Sequence, residues 1–152
     1  MNGKNLSKLD FNYMIVYRPK SSPRFEMMEE NISSLFNNTK YKQIAYYWER
    51  DKSLKKYHSH ILTEVNSESF ISDLYSNIEG TSSVHSGTRQ QIVKMKRENN
   101  TFQDIKMNLD YVEFYGKKGK LFVEPIIQKE NACFYVSKYS NRGLNSGYLM
   151  NT

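Results

Sequence analysis

The chain has 152 residues, which fits one ordinary domain with a hydrophobic core, and we expect a single domain over residues 1–152. Its formal net charge of +6 favours a polyanionic partner, although many basic proteins bind no nucleic acid. Twelve tyrosines beside many Lys and Arg suit a surface that stacks bases and holds phosphates, although an AT-rich gene would give the same composition.

The cysteine count and the pattern of apolar residues indicate in which cellular compartment the protein is expected. Cys133 is the only cysteine, which excludes an intrachain disulfide and fits a reducing cytoplasm. Residues 1–10 lack the apolar stretch of a signal peptide, and no apolar run approaches the ~20 residues of a membrane-spanning helix. We therefore expect a cytoplasmic protein.

The first elements along the chain are a strand and a helix. Residues 11–19 predict a strand, because aromatic and β-branched side chains run up to Pro19. Ser22 and Pro23 predict the N-cap and the first position of a helix, whose apolar residues recur at helical spacing as far as Asn37.

A hairpin and a second helix come next. Residues 41–49 and 56–65 predict two strands, and the charged link between them favours a hairpin. Ser67 predicts the cap of a second helix that Gly80 stops.

The second half of the chain predicts three more strands and a final helix. Within the weakly patterned stretch 81–106, residues 89–96 predict one strand. Residues 108–115 and 120–126 flank a Gly-Lys-Lys-Gly turn and predict another hairpin, and residues 128–141 predict the last helix. The order β-α-β-β-α-β-β-β-α favours the α+β class, with a central antiparallel sheet of about five strands flanked by helices.

Two of the three histidines, His58 and His60, are separated by one residue in a predicted strand. Alternate strand residues share a face, so the two imidazoles lie about 6.6 Å apart along the strand and can close on one divalent ion. Glu49 is predicted to lie opposite Tyr57 or His58 and to supply a third ligand, whereas Glu64 lies ~13 Å beyond His60, too far for the same site. The alternative is that both histidines are surface residues of a polar sheet face.

The last predicted helix carries a second group of reactive side chains. Tyr135, Lys138 and Tyr139 lie within an arc of about 100° on one helix face. An amphipathic helix that turns a tyrosine stripe to the core is the alternative, although neighbouring small and apolar residues make a better core face.

This combination resembles the HUH endonucleases, which have a His-x-His strand, an acidic residue one strand earlier and a late helix with Tyr-x-x-Lys. The sequence YVSKY resembles the two-tyrosine motif of rolling-circle replication initiators from small single-stranded DNA phages, and FVEPI is similar to the segment that precedes it. FNYMIVY stands where the first motif strand of the family lies. The resemblance covers residues 11–143 and implies an HUH/Rep-like palm.

The activity implied by the resemblance is nicking and joining of single-stranded DNA to initiate and terminate rolling-circle replication. Tyrosine transesterification would leave a 5′-phosphotyrosine and a free 3′-hydroxyl. The resemblance implies Mn²⁺ or Mg²⁺ on His58, His60 and Glu49, nucleophiles at Tyr135 and Tyr139, and Lys138 to offset charge on the phosphate or the departing phenolate.

The implied partners are a single-stranded or hairpin DNA origin, a host polymerase and a host helicase, since the chain has no room for a helicase domain. A phage or plasmid gene would place the protein in the cytoplasm of its host. The oligomeric state is open. Six lysines are candidate phosphate contacts or, equally, a solvated face: Lys52, Lys55, Lys56, Lys117, Lys118 and Lys120.

The sequence departs from the family pattern at Ser59, where the family usually has a hydrophobic residue between the histidines. Tyr111 and Tyr115 repeat the i, i+4 spacing, but in a predicted strand, where they lie ~13 Å apart and are poorer nucleophile candidates. Three alternatives remain: a single-tyrosine transposase that works as a dimer, a catalytically silent DNA-binding protein of the same fold, and an unrelated basic RNA-binding α+β domain.

Overall fold

Seven strands and three short helical segments make up the computed structural model, which describes residues 11–51, 56–67, 69–86, 111–126 and 146–150. The helical segments are a 3₁₀ turn (Phe25–Met27), α1 (Met28–Leu35) and α2 (Phe70–Asn77). The strands are β1 (Tyr13–Pro19), β2 (Gln43–Arg50), β3 (Tyr57–Glu64), β4 (Gly80–Ser86), β5 (Tyr111–Gly116), β6 (Gly119–Pro125) and β7 (Ser146–Met150).

All seven strands belong to one antiparallel sheet, in the order β4-β5-β6-β1-β3-β2-β7. The α+β class and both predicted hairpins, β2–β3 and β5–β6, are confirmed. The predicted strand number of about five is too low, because the two edge strands β4 and β7 were not foreseen. β4 is the polar sequence GTSSVHS and β7 has five residues, so neither shows the apolar alternation that marks an interior strand.

The main hydrophobic core lies between one face of the sheet, here called the core face, and the two helices. On the sheet it is built from fully buried side chains such as Ile15, Ile44, Trp48 and Ile61. An eight-residue helix is too short to be stable alone, so α1 depends on this packing. The buried helix residues are Met28, Ile32 and Leu35 of α1, Phe70 and Leu74 of α2, and Ile78 at its C-cap.

The opposite face of the sheet carries the predicted metal ligands and is here called the site face. Side chains alternate along each strand, so Tyr47 and Glu49 of β2 share this face with His58, His60 and Leu62 of β3. A smaller apolar cluster of Phe11, Ala45, Tyr47 and Leu62 adjoins the histidines there.

The predicted start of the first helix is wrong. The 3₁₀ turn has Arg24 as its N-cap, and α1 begins only at Met28. Ser22 does not cap a helix, because its Oγ accepts a hydrogen bond of 3.0 Å from the backbone N–H of Tyr57. The serine therefore ties the segment before the helix to the start of β3.

Both predicted boundaries of the second helix are shifted. Its N-cap is Ser69 instead of Ser67, whose hydroxyl lies 3.0 Å from that of Ser69. The left-handed residue after the helix is Glu79, with φ of 53°, and Gly80 begins β4. A side chain at Gly80 would collide with the ring of Tyr75, because an added Cβ would lie 2.1 Å from it.

Two predicted elements, the strand at 89–96 and the helix at 128–141, lie outside the described residues. Across the part of the chain that the structure describes, no helix has the length and apolar character needed to cross a membrane.

Gly119 in the β5–β6 turn should not tolerate a side chain. Its φ is 151°, and an added Cβ would lie 2.4 Å from the carbonyl oxygen of Arg18. We expect Gly119→Ala to lower the free energy of unfolding in urea by about 1–3 kcal/mol. Lys118→Ala in the same turn is the control and should change it by less than ~0.5 kcal/mol, because the Lys118–Glu79 pair is long, at 3.8 Å, and exposed. Equal stability of the two variants would contradict this expectation.

Candidate metal centre

The register of the β2–β3 hairpin brings three potential ligands together. Glu49 pairs with His58 across the two strands, and Tyr47 pairs with His60. Glu49 therefore lies opposite the first histidine, one of the two positions predicted from the sequence. Among the described residues, Glu49, His58 and His60 form a group that could hold a metal ion.

The spacing of the three donor atoms fits a divalent cation. His60 Nε2 lies 3.0 Å from His58 Nε2 and 3.0 Å from Glu49 Oε2, and His58 Nε2 lies 3.4 Å from the same oxygen. Ligands at ~2.1 Å from one ion are about 3.0 Å apart at octahedral angles and about 3.4 Å apart at tetrahedral angles. The donors therefore already have the separations of three ligands on one side of an ion.

Both imidazoles are held in the neutral form that metals bind. Burial, together with the neighbouring His58 and Arg18, lowers the pKa of His60 to about 3. Burial and Arg18 also lower the pKa of His58, against the opposing effect of Asp51 and Glu49. At neutral pH each ring therefore keeps one nitrogen unprotonated, and that nitrogen offers a lone pair from which a cation need not displace a proton.

Packing on both faces of β3 holds His60 and the neighbouring Ser59 in place. The ring of Tyr47 stacks on that of His60, with centroids 4.7 Å apart and planes 13° apart. On the core face, Ser59 is fully buried and donates a 3.0 Å hydrogen bond to the carbonyl of Tyr47. Ser59 pairs across the strands with Trp48, itself fully buried, so the large indole occupies the core beside the small serine. The serine between the two histidines is thus accommodated in the core.

Asp51 and Arg18 belong to the same cluster and were not predicted. Asp51 Oδ1 lies 2.7 Å from His58 Nδ1, although the nitrogen is not aligned for a hydrogen bond, and Asp51 Oδ2 accepts a 2.9 Å hydrogen bond from Arg18. A carboxylate beside the second ring nitrogen is the usual partner of a metal-binding histidine, since it selects the tautomer and holds the ring. The sequence did contain a signal, because Asp51 follows Glu49 by two positions and so shares its face.

Glu64 lies apart from the three ligands, as predicted. Its carboxylate accepts a 2.8 Å hydrogen bond from Gln43 and lies 3.7 Å from Lys42 at the far end of the hairpin. Gln43 in turn accepts a hydrogen bond from the Tyr148 hydroxyl of β7. This second polar group secures the edge strand β7. The acidic neighbours of the two histidines are therefore Glu49 of β2 and Asp51, which follows the strand.

The predicted nucleophile group, Tyr135, Lys138 and Tyr139, lies outside the described residues, as do Lys52 and Lys55. Lys56, Lys117, Lys118 and Lys120 are exposed. The first of these precedes β3, the next two form the β5–β6 turn, and the last lies in β6, opposite Arg18. Tyr111 and Tyr115 lie in β5, which confirms the strand predicted there.

Comparison with known proteins gives no relative: no family model, no curated protein and no solved structure matches this chain. The case for a function therefore depends on the residues themselves.

Removal of one ligand should abolish tight metal binding. We expect His60→Ala to weaken Mn²⁺ binding by at least about 100-fold, because two ligands seldom hold a divalent ion. Isothermal titration calorimetry on the purified protein measures this directly. The matched control is Glu64→Gln, which removes a charge from the same face outside the cluster and should leave the affinity unchanged. Equal affinity in His60→Ala and the wild type would contradict the assignment.

Removal of the outer carboxylate should have a smaller effect. We expect Asp51→Asn to lower Mn²⁺ affinity by about 10–100-fold while all three ligands remain, because a neutral amide beside His58 Nδ1 favours the metal-binding tautomer less than a carboxylate does. Titration calorimetry measures the affinity, and urea unfolding of the metal-free protein checks that the fold is intact. An affinity equal to that of the wild type would show that Asp51 does not orient His58.

Proposed function

We propose that the protein is a metal-dependent enzyme that nicks and rejoins single-stranded DNA by tyrosine transesterification. The observation that carries the proposal is the convergence of Glu49, His58 and His60, with donor atoms 3.0–3.4 Å apart, on the hairpin where the HUH-like sequence pattern predicts a metal site. The proposal also needs Tyr135 and Tyr139, whose placement the structure does not describe.

The ligand set suits chemistry on a phosphodiester. Two neutral imidazoles and one carboxylate leave a bound divalent cation with net positive charge and open positions for phosphate oxygens. A Mg²⁺ or Mn²⁺ ion held there would polarise the scissile phosphate. Imidazole ligands favour Mn²⁺ in affinity, while the cellular supply of each ion decides which one is used.

Tyrosine is the expected nucleophile because its phosphate ester conserves the energy of the broken bond. A phenol with a pKa near 10 is a weak nucleophile at neutral pH, so the reaction needs an activated phosphate. The Tyr135 oxygen forms a bond to phosphorus while the bond to the 3′-oxygen breaks, the phenol loses its proton, and the 3′-oxygen gains one. The products are a 5′-phosphotyrosine and a 3′-hydroxyl that a polymerase can extend.

A second tyrosine, one turn further along the predicted helix, would allow a second transfer. Tyr139 would cleave the newly made junction while Tyr135 still holds the first DNA end. The freed 3′-hydroxyl then attacks the first phosphotyrosine, which restores a phosphodiester without ATP. Lys138, between the two, would offset charge on the phosphate or on the departing phenolate.

The positive charge beside the cluster supports a nucleic acid substrate. Arg18 has 44% of its side chain exposed while its guanidinium contacts Asp51. Lys120 lies opposite Arg18 on the next strand and is exposed. Such groups can neutralise the phosphates on either side of the reacting one.

Phenylalanine substitutions test the two tyrosines separately. Wild-type protein should form a covalent adduct with a 3′-labelled random pool of single-stranded DNA in Mn²⁺, seen on a denaturing gel. We expect Tyr135→Phe to lose most of the initial adduct. Tyr139→Phe should keep the adduct but lose the second strand transfer. Phe keeps the ring and loses only the hydroxyl, so packing is preserved.

Tyr75→Phe in α2, which packs against the core on the other side of the sheet, is the matched control and should leave adduct formation unchanged. An adduct that survives in the Tyr135→Phe, Tyr139→Phe and double variants would show that the predicted helix carries no nucleophile. If Tyr139→Phe behaves as the wild type in every step, the single-tyrosine transposase is the better account. Absence of any adduct with either metal, together with tight binding of single strands, would favour a catalytically silent DNA-binding protein.

A further inference from the structure

A tyrosine–glutamate–tyrosine group lies on β5, outside the metal centre. Tyr111, Glu113 and Tyr115 alternate along the strand and therefore share a face. The Tyr111 hydroxyl donates a 2.9 Å hydrogen bond to one oxygen of the Glu113 carboxylate, and the Tyr115 hydroxyl donates a 2.7 Å bond to the other. The bond to Glu113 raises the pKa of Tyr115, so this phenol stays a donor. The carboxylate is thereby fixed in one orientation.

This group lies in line with the metal centre on the site face. His60 pairs with Val16 of β1, Val16 pairs with Phe122 of β6, and Phe122 pairs with Glu113. Three steps between strands put Glu113 about 14 Å from His60. A single strand covers that distance in about four nucleotides at its stacked rise of ~3.4 Å, and in fewer when extended. Val16 and Phe122 are half-buried and form an apolar track between the two ends.

A basic row runs beside this apolar track. Arg18 pairs with Lys120, and Lys120 pairs with Tyr115. The Lys120 ammonium lies 5.7 Å from the centre of the Tyr115 ring. An aromatic ring that can stack on a base therefore lies beside cations that can contact the phosphate backbone. Surfaces that bind single strands use this combination.

The carboxylate adds a preference for one base. An ionised carboxylate has about four acceptor positions. The hydroxyls of Tyr111 and Tyr115 occupy one acceptor position on each oxygen of Glu113 and leave one further position on each oxygen. Two parallel donors on nitrogens that share one carbon match that pair, and among the bases guanine presents them, as N1–H and the N2 amine on its Watson–Crick edge. Adenine and cytosine offer a single amine, and thymine a single ring N–H.

We infer that Tyr111, Glu113 and Tyr115 form a guanine-binding subsite for a single strand whose backbone passes over Lys120 and Arg18 to the metal centre. The inference rests on the proposed function, because only that function requires the bound DNA strand to run from the subsite to the metal centre. It assigns to Glu113 a base-specific contact that the nicking chemistry itself does not require.

Fluorescence anisotropy with labelled oligonucleotides tests the subsite without any cleavage. The probes are dT20 and the same strand with one central dG, both in EDTA at a fixed low salt concentration. Wild-type protein should bind the dG strand about tenfold more tightly. Glu113→Gln should reduce that ratio to near one while leaving dT20 affinity within about twofold. Inosine, which lacks the N2 amine, should lose most of the preference, and 7-deazaguanine, which keeps both donors, should retain it.

Glu124→Gln is the matched control, because Glu124 lies two residues beyond Phe122 on the same face of β6 and is also half-buried. It should keep the guanine preference. Equal binding of the two strands by the wild type, or an unchanged preference in Glu113→Gln, would overturn the subsite and leave the nicking proposal standing if the Tyr135 adduct forms. Absence of binding to either strand overturns the subsite as well, and the adduct assay then decides separately on the nicking proposal.

Discussion

The pairing register of the β2–β3 hairpin is the constraint on which the candidate site depends. Side chains alternate with a period of two, so a slip of one residue in either strand would turn its ligands to the core face. Glu49 opposite His58 therefore requires Trp48 opposite Ser59 on the other side. The fully buried indole cannot be moved to the site face without opening the core, and so the packing of one face fixes the position of the ligands on the other.

Burial of the polar ligand side chains costs hydration free energy, and contacts with neighbouring side chains compensate for part of that cost. The two imidazoles contact each other and Glu49, the ring of Tyr47 stacks on His60, and Asp51 lies against His58. Depressed histidine pKa values follow from the same burial, so the features that make the cluster costly in a metal-free protein are those that prepare it for a cation.

Local patterns in the sequence were sufficient to predict the hairpins, the α+β class and the proximity of three potential ligands, because each depends on alternation or on a short turn. Asp51 could have been found by extending the same alternation two residues beyond Glu49. Arg18 could not, because its proximity to Asp51 requires β1 to pair with β3, a choice among strands that no local pattern specifies. The predicted start of the first helix was wrong for a related reason: the hydroxyl of Ser22 accepts a hydrogen bond from the distant Tyr57 instead of capping its own helix.

The edge strand β7 has a consequence for how the sheet is completed. It pairs with β2, and the Tyr148–Gln43 contact joins residues 105 positions apart. Contacts this distant form slowly, because a long loop must close first. During synthesis the other six described strands emerge before β7. Until β7 pairs, the backbone N–H and C=O groups on the outer edge of β2 lack their hydrogen-bond partners. An unpaired edge of that kind accepts a strand from another molecule, which makes the arrival of the seventh strand a safeguard against intermolecular pairing at the strand that carries Glu49.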